Sequence, residues 1–216
     1  MSLFAMVLCV LIGLRLAKAL RRPALAGPGS EPPYLFSAPR NRALALAHPA
    51  GKALLGAIYG HSSAALPADD PLRKLEPSLL HVFGLRQGLD LTQIRASLQA
   101  QLPQRWFRLG LEQLQPGDDA RDAMAFACAR VAFALRAAQL LGWLDAGLHW
   151  QLQEFNAARA RECFSSWPDY AAALARGRRQ WVAGSRADSL GVAFSVEQAL
   201  AWTRQRRHPW RRAWDS

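Results

Sequence analysis

Lysine is nearly missing from this sequence: of 27 basic residues only Lys18, Lys52 and Lys74 are lysines, and the rest are arginines. With the abundant alanine, this looks like the codon bias of a GC-rich bacterial genome, so arginine enrichment alone is not read as phosphate recognition. Cysteine is scarce too. Three in 216 residues, none in a C-x-x-C pair, exclude a disulfide scaffold and a zinc ribbon and agree with a reducing compartment. With 15 Gly and 13 Pro the chain is neither collagenous nor of low complexity. Charged residues make up 20% against 51% hydrophobic. That excludes disorder as the main state, because enough apolar surface can be buried to offset chain entropy. No stretch alternates as a β-strand does, and nothing repeats internally.

Motifs that carry chemistry are lacking as well. There is no G-x-x-x-x-G-K-[ST], no G-x-G-x-x-G after a strand and no G-x-S-x-G. His48, His61, His81, His149 and His208 are scattered without an i, i+4 pair, so neither a metal site nor a cofactor is expected. Cys128 and Cys163 fall on core-facing positions and read as small hydrophobes. Ser165 and Ser166 have no base beside them, and Ser166 reads as a helix cap. The acids Asp118, Asp119 and Asp122 cluster where a helix begins, which the helix dipole explains more simply than an acid pair for hydrolysis.

What is there is positive charge, +11 with a pI near 10.9, and it is unevenly placed. Residues 1–68 carry seven bases and one acid, residues 69–175 eleven bases and twelve acids, and residues 176–216 nine bases and three acids. A nucleic-acid-binding fold should be basic across its face; this chain has two basic ends and a neutral middle. At the first end, residues 3–14 are an unbroken apolar run, extended to residue 20 past Arg15 and Lys18. As a helix, 3–20 would span about 27 Å, enough for a hydrocarbon core if the two bases snorkel. Arg15, Lys18, Arg21 and Arg22 all follow the run. A cleaved signal peptide would carry its charge first, so residues 1–22 are expected to be a single inner-membrane anchor with the globular part in the cytoplasm. Residues 23–39, with five prolines and two glycines, read as a linker, and residues 40–216 as a globular domain.

Helix punctuation in that domain is frequent. A stretch from Arg40 to Tyr59 is interrupted at Pro49, and Leu91–Leu102 is expected to end before Pro103, which would open a helix to about Leu114. A long helix should run from an Asp118 or Asp119 cap to Leu141 and stop at Gly142. Asp145 caps a helix to about Phe164, Ser166 one to about Val182, and Ser195 a last one to about Arg206. The expectation is an all-α domain of six or seven helices. The 119–141 helix is apolar around so much of its circumference that it should be central. Arg130 lies within one of its stripes, Arg178 on the buried face defined by Trp167, Tyr170, Leu174 and Trp181, and Glu162 on a seven-residue repeat with Leu148 and Phe155. Buried charges must be paired. Either Glu162, Asp169 or Glu154 neutralises the two arginines while Trp faces pack on them, or Arg130, Arg178, Glu162, Trp167 and Trp181 line a pocket for an anionic ligand.

The motifs GWLDAGLHW at 142–150, FSSW at 164–167, GRRQW at 177–181 and HPWRRAW at 208–214 resemble the bacterial domain-of-unknown-function family 1266, over roughly residues 40–214. The resemblance carries over to Gly142, Trp150, Ser166, Trp167, Gly177, Arg178, Trp181 and Trp210, and to Arg130 as the family's helical arginine. Three residues before that arginine the family tends to have an acid where this chain has Ala127. The family implies a fold and no agreed activity. The tail 202–214 interleaves Trp202, Trp210 and Trp214 with five arginines. Arg206, Arg207, Trp210 and Arg211 suit a lipid headgroup layer, beside which the basic residues after the anchor would also lie, and nucleic acid is the lesser alternative. The sequence-level reading is a membrane-anchored protein whose domain binds a protein partner or small anion; an enzyme with an Arg130/Arg178 anion clamp is the alternative from another class.

Overall fold

Nine alanines in the 21 residues of Ala120–Leu140 give that segment high helix propensity and a slim profile. In the computed structural model it is the centre of the fold, with 18 of its 21 residues buried. The structure describes residue 34 and residues 36–61, 65–67, 69–184, 186 and 192–214. The anchor assigned to residues 1–22, with Arg15, Lys18, Arg21 and Arg22, lies outside the described residues, as does most of the linker.

Among the described residues the domain is entirely helical. Its α-helices are α1 (Ala38–Ala45), α2 (His48–Leu55), α3 (Ile58–His61), α4 (Glu76–Val82), α5 (Leu91–Arg105), α6 (Ala120–Leu140), α7 (Ala146–Cys163), α8 (Trp167–Ala183) and α9 (Val196–Trp202), with 3-10 turns at Pro71–Leu75, Trp106–Arg108 and Pro209–Arg211. The described count is nine, against the six or seven expected. The first stretch divides after Ala45 and again after Leu55, and α4 has no periodic stripe long enough to announce it. Pro103 does not end its helix: α5 runs through it to Arg105, and the expected helix to Leu114 is one 3-10 turn. The last helix stops at Trp202, four residues short of Arg206.

The caps match the sequence. Asp119, Asp145, Ser166 and Ser195 each accept a backbone N–H three residues on, and Ser195 and Gln198 form a reciprocal capping box. Gly142 closes α6 with a φ of 74°, in which its own N–H reaches the Gln139 carbonyl and the Trp143 N–H reaches that of Ala138. This left-handed turn favours glycine and satisfies two carbonyls that the helix end would leave open.

α7 and α8 pack along α6, α9 packs on α8, and α1 packs on α7. α6 is also the one described helix long and apolar enough to cross a membrane, yet 94% of that window is buried inside the domain, as befits a core helix. Its approach to α8 is set by Gly177: a Cβ there would overlap the Asp122 carbonyl oxygen. Gly177→Ala should therefore destabilise the domain by about 1–3 kcal/mol, despite alanine's better helix propensity, because the overlap forces the two helices apart. Urea unfolding followed by tryptophan fluorescence reads this directly, and a more stable variant would mean that the helices have room to spare.

Candidate functional site

α8 begins with its Ser166 cap and turns Trp167, Tyr170, Leu174 and Trp181 inward, which carries Arg176, Arg178 and Gln180 along the first half of α6. The three acids at the start of α6 are engaged there. Arg176 donates two hydrogen bonds to Asp122, at 2.8 and 2.7 Å. Arg186 grips Asp118 in the same bidentate manner, at 2.5 and 3.0 Å, with both side chains nearly buried. Gln180 exchanges hydrogen bonds with the backbone of Asp119. Arg121 pairs with Asp169 at 2.6 Å, and Asp169 also accepts from the Ser165 N–H. The Arg186 hydrogen bonds hold the Asp118 carboxyl down at about 2.

Trp181 lies at the middle of this arrangement. The Arg130 guanidinium sits 4.2 Å from its ring centroid and that of Arg186 4.6 Å. The expected packing of a tryptophan face on Arg130 is thus present, and Arg130 is buried. Arg178 is half-buried and borders an open groove of about 480 Å³ between α8 and α9, together with a much smaller cavity reaching Pro49 and Ala50 of α2. Arg130 borders a different small cavity, with Leu75 and Phe133. The cavities that border Arg130 and Arg178 are thus different ones. Glu162 is exposed near the end of α7. Trp167 stacks beside Trp210 and meets Trp214 edge-on. Of the five expected pocket residues, Arg130 and Trp181 are brought together, while Trp167 belongs to a separate aromatic cluster.

That cluster pins the tail. Trp210 is buried and donates its indole N–H to the Ala45 carbonyl at 2.7 Å, and Trp214 donates to that of Phe164 at 3.0 Å. His208 stacks on Trp202 with an interplanar angle of 7° and meets His48 edge-on at 4.6 Å. His48 in turn hydrogen-bonds the Tyr34 hydroxyl. Trp210, expected at a headgroup layer, is therefore a core residue; Arg206, Arg207 and Arg211 are exposed.

Two buried polar features escaped the sequence reading. Arg136 is 1% exposed and donates to the Tyr59 and Ile58 carbonyls and to the Gln139 side chain. Burial lowers its pKa to about 10. It was legible in principle, since a helix apolar all round buries any arginine within it. His149, Gln153 and Asn156 are fully buried at i, i+4 and i+7 of α7, and the last two donate to the Ala132 and Cys128 carbonyls of α6. Their spacing was the available signal. Among the described residues no cluster of His, Cys, Asp or Glu could hold a metal ion.

The described body is thus an all-α domain, several of whose arginines are built into its helix contacts. It belongs to the family described as "Protein of unknown function (DUF1266)", which matches residues 66–214. No curated protein and no solved structure matches the chain.

Burial holds His48 and His149 at about 3 and His208 at about 4, against an ordinary 6.5; His208, Arg136 and Lys52 respectively add the largest repulsions. Below pH 6.5 the unfolded chain takes up protons that the fold refuses, so the stability these neutral rings contribute is complete above 6.5 and lost as pH falls towards 4. Unfolding at pH 5 should take up about three more protons than at pH 7.5 and show a lower urea midpoint; equal midpoints would mean the rings are not buried neutral.

Proposed function

We propose that this protein is a bacterial inner-membrane protein, tethered by residues 1–22, whose cytoplasmic helical domain rests its C-terminal arginine edge on anionic lipid headgroups and serves there to bind a protein partner or small anion. The observation that carries this reading is the way the tail is packed. Trp210 and Trp214 point inward and fix the last turn of the domain, which leaves Arg206, Arg207, Arg211 and Arg212 exposed. The same segment lies at the place where the chain enters the domain: Arg212 acts electrostatically on Tyr34, and Lys52 on His208. A basic edge is thus gathered beside the residues that lead back to the proposed anchor. Each base near an anionic surface contributes on the order of 1 kcal/mol, so a cluster of this size acts as a second attachment that salt weakens.

The alternatives have less support. A clamp on one anion needs Arg130 and Arg178 at one cavity, and they border different ones. Nucleic-acid binding by the tail would need open ring faces for stacking, and Trp210 and Trp214 are buried. In nanodiscs the full chain should lose the tail to trypsin, at Arg206–Arg212, more slowly on lipid containing phosphatidylglycerol than on phosphatidylcholine alone, with 0.5 M salt removing the difference. Equal rates would overturn the headgroup contact. Release of the chain from bacterial membranes by alkaline carbonate would overturn the anchor.

A further inference from the structure

The groove between α8 and α9 joins apolar walls to a charged rim. One wall is Val182, an exposed large hydrophobe, and the other is Phe194 and Val196. Its volume of about 480 Å³ falls in the range of small-molecule sites, about 300–1,000 Å³, and is small for a partner helix. Arg178 and Arg179 stand on the α8 side and Glu197 on the α9 side, giving a net positive rim. The polar groups on the α9 side are occupied with one another: Ser195 and Gln198 hold their capping box, and Glu197 bonds to Ser195. Arg179 differs. It is exposed, and among the described residues it has no hydrogen bond or ion pair, only a longer-range attraction to Glu197.

The floor is rigid. Phe194 packs on Trp202 at 5.1 Å, and Trp202 stacks on His208. Phe194 and Arg178 also border the small cavity that reaches Pro49 and Ala50. An apolar trough carrying the exposed Arg179 guanidinium at its rim is complementary to a single anionic group on a short hydrocarbon chain.

We propose that this groove binds an anionic amphiphile, its chain lying against Val182, Phe194 and Val196 and its carboxylate or phosphate meeting Arg179. The site is distinct from the tail edge and does not depend on it. Specificity follows from the rim: a neutral headgroup leaves Arg179 unanswered.

Photolabelling of the full chain in phosphatidylcholine nanodiscs tests this. The probes are a diazirine-bearing decanoate, the matching decyl phosphate and the matching neutral decanol, with labelled peptides mapped by mass spectrometry. One or both anions should label residues 175–182 and 193–198, and the one that labels at lower concentration names the headgroup. Arg179→Glu should cut that labelling about tenfold or more, the worth of one charged hydrogen bond. Val182→Trp, which fills the trough from an exposed position, should also abolish it. Competition by unlabelled octanoate should be roughly tenfold weaker than by decanoate, from the two methylenes removed. Equal labelling by the alcohol, labelling unmoved by Arg179→Glu, or labelling confined to residues 1–33 would overturn the proposal. None of these results bears on tail protection by anionic lipid, so the two readings fail separately.

Discussion

The helix Ala120–Leu140 is enclosed around its circumference, and the rest of the domain is arranged to meet the polar groups it carries inward. A charge taken out of water is costly unless something replaces its hydration. Asp122 has the two N–H groups of Arg176, Arg130 has the face of Trp181, and Arg136 has two carbonyls and Gln139. Apart from Gln139, on the same helix, these partners come from α8 and α3, far away in sequence. Specificity of packing in a core so rich in alanine comes from these directional contacts, since alanines interdigitate with little preference for one register.

The site that the sequence suggests is taken apart by the same demand. Arginine on a core-facing stripe reads equally well as ligand-binding or as structural, and periodicity places it without choosing its partner. In the fold Arg130 is packed against Trp181, whereas Arg178, on a stripe of α8, borders a groove. What decides between them is which helix covers each stripe. That depends on crossing angles and on Gly177, neither of which periodicity reports.

Legibility follows the range of the interactions. Caps and helix ends act within four residues, and Asp119, Gly142, Asp145, Ser166 and Ser195 all stand where the motifs place them. The central role of α6 was visible because a helix apolar on every side has one place to go. The short α4, the passage of α5 through Pro103 and the early end of α9 depend on tertiary packing, which overrides local preference. Trp210 was ambiguous for another reason: indole suits both a headgroup layer and a core, and its hydrogen bond to Ala45, 165 residues away in sequence, is what separates them.

That last contact bears on how the protein is made. The tail supplies Trp210 and Trp214 to a core that also contains α1, the first helix of the domain to be synthesised. A chain growing from its N-terminus holds α1, α7 and α8 long before it holds the rings that lie between them. Until Trp210 and Trp214 arrive, the pocket those tryptophans fill is open apolar surface. Final closure of the domain therefore waits for the segment that carries Trp210 and Trp214.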